Sequence, residues 1–281
     1  MRFKYIYLAA GFLFLGANCT SNDKPAETKT NNTTTLQTPQ ETVSAPAFNA
    51  DSAYNFVKQQ VDFGPRVPET KAHAKCAEYL FNKLKSYTPN VEMQKGSMPM
   101  YNGKPVAIKN IIAKFGPENT NRVLLCAHWD SRAWSDQEKD STKHKLPVLG
   151  ANDGASGVGV LLEIARQLQL KAPQIGVIIL LVDAEDQGTP SFDRTNERVE
   201  DSYCLGTQYW AKNLDKMKYS ADYGIVLDMV GAKFAKFLQE EVSVNSAPYV
   251  VQKVWSRAAQ LGFSNYFIFN RTTPITDDHF Y

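Results

Sequence analysis

The longest apolar run after the first few dozen residues is Ile175-Gly176-Val177-Ile178-Ile179-Leu180-Leu181-Val182, followed by Asp183. A run rich in branched aliphatics, with no polar alternation, reads as a strand buried on both faces. Residues 106–115, 122–127, 223–229 and a short piece at 266–269 read as further strands, that at 223–229 also buried. Helical spacing marks 51–61 through Tyr54, Val57 and Val61, and 71–86 through Cys76, Leu80 and Leu84. It also marks 155–168, where Val158, Leu161, Leu162, Ala165 and Leu168 share one side, and 203–214 and 249–261. Phe63-Gly64-Pro65-Arg66-Val67-Pro68 is a turn-rich connection. Strands alternating with helices predict an α/β three-layer sandwich, with a central, mostly parallel sheet and helices on both faces.

The beginning of the chain follows different rules. Arg2 and Lys4 precede a short apolar segment over 5–15, too short to span a bilayer comfortably. Gly16-Ala17-Asn18-Cys19 then resembles a bacterial lipoprotein cleavage site, with 1–18 as signal peptide and Cys19 as the lipidated first residue of the mature chain. The alternative is an ordinary secretory signal. Both readings send the chain to the bacterial cell envelope, as a membrane-anchored lipoprotein or otherwise a periplasmic protein. Residues 19–47 are Thr, Asn, Ser, Gln, Pro and Lys with almost no large apolar side chain, which reads as a disordered tether. From 48 onward the sequence reads as one folded domain.

Apolar residues make up 43% of the chain, which suits a globular core, and the net charge of +2 gives no reason to expect a nucleic-acid partner. Cys76, Cys126 and Cys204 show no metal-binding spacing, and a disulfide among them stays open. Cys126 lies in an apolar run and reads as a small buried hydrophobe.

Acidic or His-containing segments fall where the strands end or the helices begin. They are His128-Trp129-Asp130, Asn152-Asp153-Gly154, Glu185-Asp186 and Asp228-Met229-Val230-Gly231, with Asp277-Asp278-His279 near the chain end. Taken singly, each has a plain reading: an Asp before Gly is usually a turn or cap residue. Recurrence at three predicted parallel strand exits changes this, because such exits converge on one edge of a doubly wound sheet. Adjacent carboxylates at the end of a buried strand are costly unless a metal, a cation or a proton compensates them. Oxygen and imidazole donors without cysteine suit a catalytic zinc, which keeps a position open for substrate. His73 and His144 lie on polar stretches and read as solvated side chains, and His279 as packing locally.

His128-Trp129-Asp130, Gly150-Ala151-Asn152-Asp153-Gly154-Ala155-Ser156-Gly157, Asp183-Ala184-Glu185-Asp186 and Leu227-Asp228-Met229-Val230-Gly231 resemble, in order, the motifs of the zinc-dependent aminopeptidases and of their relatives, the animal-type glutaminyl cyclases. In the peptidases the acidic pair is usually Glu-Glu and a Gly-Ser segment follows soon after. Here Asp186 takes the second place, and an insertion over 187–200 precedes Asp201-Ser202-Tyr203-Cys204-Leu205-Gly206-Thr207-Gln208. Those features, with Asp277-Asp278-His279-Phe280, look like the cyclase branch.

The resemblance implies a zinc-dependent glutaminyl-peptide cyclotransferase acting on peptides or proteins with an N-terminal Gln. It implies Asp153 and Asp186 as zinc ligands and Glu185 as general acid/base. Asp228 and Asp277 would form the acidic cluster that holds Glu185 and the leaving nitrogen. His128 would be a ligand in a two-zinc peptidase and supporting structure in a one-zinc cyclase. The alternatives are an envelope aminopeptidase with two metals and an inactive relative serving as a binding domain. The family's third zinc ligand is a His in a Trp-His segment beyond the Asp-Asp-His motif, and the sequence ends at Tyr281 before one. The expectation is therefore a catalytic domain over 48–281 that is incomplete at its C-terminus and, expressed as written, binds zinc poorly and is inactive. His279 as a substitute ligand is the competing explanation.

Overall fold

The computed structural model describes residues 45–118, 121–193 and 201–281. The expected signal peptide and lipidation site Cys19, nearly all of the expected tether and the end of the insertion lie outside these residues. In chain order come α1 (Ala50–Asp62), α2 (Lys71–Lys85), β1 (Val91–Pro99), β2 (Pro105–Phe115), β3 (Arg122–His128), α3 (Ala155–Leu170) and β4 (Gly176–Val182). They are followed by α4 (Leu205–Lys212), α5 (Lys216–Tyr219), β5 (Tyr223–Val226), β6 (Phe237–Glu240), α6 (Glu241–Ser246), α7 (Pro248–Gln260) and β7 (Phe267–Thr272). Asn49 and Thr70 cap α1 and α2, each accepting a backbone N–H of the first turn.

The main sheet has the order β1-β2-β4-β3-β5. Every residue of β4 is buried, and its side chains divide by parity. Val177, Ile179 and Leu181 join Leu80, Leu84, Val158, Leu161 and Leu162 from α2 and α3 on one face. Ile178, Leu180 and Val182 meet Trp210 and Tyr219 from α4 and α5 on the other. The three layers follow from this: a strand apolar on both faces needs helices on both.

Within the main sheet, parallel pairing is confined to β4-β3-β5. The β1–β2 hairpin adds antiparallel neighbours, because its short turn at 100–104 can join strands in no other sense. β5 is shorter and less buried than the strand read over 223–229: it has β3 as its one neighbour and sits at an edge of the sheet among the described residues. Its chain leaves the ladder just before Asp228. β6 and β7 form a separate parallel pair.

Candidate active site

Because β3, β4 and β5 run parallel, His128, the Asp183–Asp186 loop and Asp228 emerge along one edge of the sheet. The Gly150–Gly157 motif brings Asp153 to the same edge. Gly154, just before α3, has φ +88°, the left-handed region that favours glycine, and a Cβ there would lie 2.6 Å from the Asp130 carbonyl oxygen and 3.1 Å from the His128 ring. At Gly157 a Cβ would overlap the Leu227 carbonyl oxygen, so the first turn of α3 sits directly against the exit of β5. Ser156 Oγ accepts the Val230 N–H at 3.0 Å, and Asn152 Oδ1 accepts that of Gly231 at 2.9 Å. Small residues in this motif thus let Asp153 and Asp228 approach each other.

His128 closes the group. Its Nε2 lies 2.9 Å from Asp153 Oδ1 and 3.3 Å from Asp228 Oδ1, and its Nδ1 3.4 Å from Asp130 Oδ1. Burial works against a charged imidazole, yet the bonds to Asp130, Asp153 and Asp228 outweigh it and hold the ring well above its ordinary value.

Asp130 organises the acidic loop. It is fully buried and accepts the backbone N–H of Glu185 at 3.0 Å, that of Asp186 at 3.2 Å and the Gln187 side-chain amide at 3.0 Å. Desolvation would raise its carboxyl, but these bonds and His128 keep it below the usual range. Asp183 turns the other way. Its Oδ1 lies 2.8 Å from His73 Nε2 and its Oδ2 accepts the Lys109 N–H.

Four further carboxylates share the edge. Glu185, half-buried, is raised well above its ordinary value by desolvation, which the neighbouring Asp278, Asp186 and Asp130 reinforce. Asp186 is pushed up to about 8, first by burial and then by repulsion from Asp153. Arg132 donates to one Asp186 oxygen at 3.3 Å while making a two-pronged pair with Asp136 at 2.6 and 2.8 Å. Asp277 is raised by burial and by Asp228. Asp278 is pushed up to about 7 by burial and its acidic neighbours, against the pull of His128.

The match to known proteins agrees with this geometry. Residues 110–281 match the family model described as Peptidase family M28. The chain belongs to peptidase family M28. The crystal structure of a Zn-dependent exopeptidase from Parabacteroides distasonis is 52% identical, with TM-score 0.81 over 84% of this chain and 80% of that one. Tannerella forsythia glutaminyl cyclase is 50% identical, with TM-score 0.81 over 83% of this chain and 80% of that one. Bacteroides thetaiotaomicron glutaminyl cyclase bound to N-acetylhistamine is 47% identical, with TM-score 0.82 over 84% and 81%. Among curated sequences, this M28 chain spans half the length of the Escherichia coli uncharacterized protein YfbL, at 28% identity over 62% of this chain.

The donor chemistry of this M28 site fits a divalent cation. Asp153 and Asp186 repel each other, the Asp153 side chain is 39% exposed, and one Asp186 oxygen is left over by Arg132. A zinc ion would relieve that repulsion, and it takes carboxylate oxygens readily. Close grouping within 4.8 Å is shown by His128, Asp153 and Asp228, and by Glu185, Cys204 and Asp277. His279 belongs to neither group: its Nε2 lies 3.1 Å from Glu240 Oε2, which argues against it as a substitute ligand. Its partner is thus thirty-nine positions away in the chain, not the local packing expected from its sequence context.

The solvated reading of His73 is corrected. It is fully buried, paired with Asp183 and stacked on Trp129 at 4.3 Å between ring centroids. The signal was present: His73, Cys76, Ala77, Leu80 and Leu84 are the buried positions of α2 and follow one helical stripe. His144 is half-buried, its Nε2 2.7 Å from the Glu138 carbonyl oxygen and its ring stacked on Phe192. Cys126 is buried as expected, and Cys76, Cys126 and Cys204 are all free.

The segment carrying Asp277 is held by Glu240, whose carboxylate accepts the N–H groups of Val242, Ser243 and Ile275 at 2.7–3.0 Å. Burial opposes ionisation, but those N–H bonds hold its carboxyl down to about 2. A depressed carboxyl stabilises the fold above the unfolded value of about 4.3, here by roughly 2–3 kcal/mol, and the contribution fades as pH falls toward 2. Glu240→Gln is therefore expected to unfold at lower urea at pH 7, and its deficit against wild type should shrink on acidification below about pH 4. Urea titrations of both proteins across pH check this; a deficit that grows on acidification contradicts it.

Proposed function

We propose that the protein is a zinc-dependent glutaminyl-peptide cyclotransferase, converting N-terminal Gln of peptides or proteins to pyroglutamate with release of ammonia. The observation that carries this is its similarity, at about half of all positions and over four-fifths of their length, to glutaminyl cyclases of known structure. The site supports it, because Glu185 stands in a cluster of carboxyls raised by burial and mutual repulsion.

Asp153 and Asp186 would hold the metal. When bound, zinc supplies Lewis-acid polarisation of the γ-carbonyl and stabilises the developing oxyanion. The remaining steps belong to the chain. The neutral α-amine of the substrate forms a bond to its own side-chain carbonyl carbon, and the carbon–nitrogen bond of the side-chain amide breaks. Glu185 takes the proton from the amine and hands it to the departing ammonia. Its raised carboxyl suits that exchange, because a base closer in strength to an amine accepts the proton more readily. Asp277 lies close to Glu185, and with Asp228 it would hold Glu185 and the leaving nitrogen in place. No water is consumed.

The second reading is a two-metal aminopeptidase. His128, Asp153 and Asp228 support it, since together they offer ligands for another cation. Zinc content separates the two: one ion per chain for the cyclase, two for the peptidase. For localisation, Arg2, Lys4, the apolar 5–15 segment and Cys19 support a lipid anchor in the cell envelope. Metabolic labelling with a fatty acid, lost in Cys19→Ser, is the expected result; equal labelling of both proteins contradicts it.

A further inference from the structure

We infer that Cys204 and Thr207, in the first turn of α4, are positioning residues that fix Glu185 against the Asp277–Asp278 turn. This rests on the cyclase reading. The turn is fastened to the exit of β4 by its backbone: Cys204 N–H donates to the Glu185 carbonyl at 2.8 Å, and Leu205 N–H to that of Ala184 at 3.2 Å. Cys204 caps α4 with φ 54° and ψ 33°, the left-handed conformation in which a side chain is strained and glycine is favoured. A side chain kept there needs a reason. The fully buried Cys204 thiol lies 3.4 Å from Glu185 Oε1. The thiol donates and the Glu185 oxygen accepts.

Three residues on, and so on the same side of the helix, the Thr207 hydroxyl donates to Asp278 Oδ1 at 2.7 Å. Asp278 is buried, and its other oxygen has no hydrogen-bond partner among the described residues. The Thr207 bond is therefore what orients this carboxyl, and through it the neighbouring Asp277, whose side chain meets Glu185 and Cys204. One helical turn thus grips both sides of the proton-transfer cluster.

A merely structural Cys204 would be a small buried hydrophobe, which Ala replaces and Ser does not. The two roles therefore order the variants oppositely. With purified protein and a peptide bearing N-terminal Gln, Cys204→Ala and Thr207→Val are each expected to lower kcat roughly tenfold at unchanged KM. Cys204→Ser and Thr207→Ser, which keep a donor, should recover most of that loss, with thermal midpoints close to wild type for all. Wild-type kcat in Cys204→Ala, or Cys204→Ser falling further than Cys204→Ala, overturns the inference while leaving the cyclase reading intact. Wild-type protein that forms no pyroglutamate overturns both.

Discussion

Glu185→Gln is expected to lower kcat for cyclisation of a peptide with N-terminal Gln by roughly 10²–10⁴-fold. The substitution keeps the length and planar end of the side chain. The backbone bond from residue 185 to Asp130, which holds the loop, is unaffected. What disappears is the ability to take up a proton and return it. Because Asp153 and Asp186 remain, the variant should retain most of its zinc. Ammonia release under steady-state conditions, read beside metal analysis of the same sample, gives both quantities. Normal turnover would remove Glu185 from the reaction, and loss of zinc in step with activity would make it a ligand instead.

Asp130→Ala should cost about 3–5 kcal/mol of folding stability, the usual effect of breaking a buried charge pair from one side. The substitution leaves the N–H groups of Glu185 and Asp186 and the Gln187 amide without their acceptor, and removes a carboxylate from the His128 ring. Each buried donor then carries its own desolvation penalty. Asp130→Asn keeps one acceptor oxygen and should lose markedly less. Urea denaturation of the three proteins measures the difference; a loss below about 1 kcal/mol in Asp130→Ala would mean that the loop is held by other contacts.

Much of this site is legible in the sequence. An apolar run with no alternation gave β4 its place between two helical layers, and the parity of its side chains bears that out. The Gly150–Gly157 segment stood out in sequence only as a motif; in space Gly154 and Gly157 make close approaches against the exits of β3 and β5.

The omissions have physical causes. β1 reads Val-Glu-Met-Gln-Lys-Gly-Ser-Met-Pro, and as an edge strand with mostly half-buried or exposed positions it carries no continuous apolar pattern. β5 looks like a core strand by composition, but pairing on one side alone leaves it partly open. Asp130 was visible only as part of a motif, because its work is done through backbone N–H groups more than fifty positions away. Asp278 stood beside Asp277 in sequence with nothing to separate their duties; the Thr207 bond distinguishes them in space. His73 shows the reverse case, where a local impression of polarity overrode a helical stripe that was already complete.

The claim that joins these observations is that the cluster around Glu185 cyclises rather than hydrolyses. The most direct measurement gives the purified protein a peptide with N-terminal Gln and follows the peptide by mass spectrometry. The cyclase reading expects loss of ammonia alone, with every residue of the peptide retained. Release of free glutamine and a peptide shortened by one residue would contradict it and establish aminopeptidase action in its place.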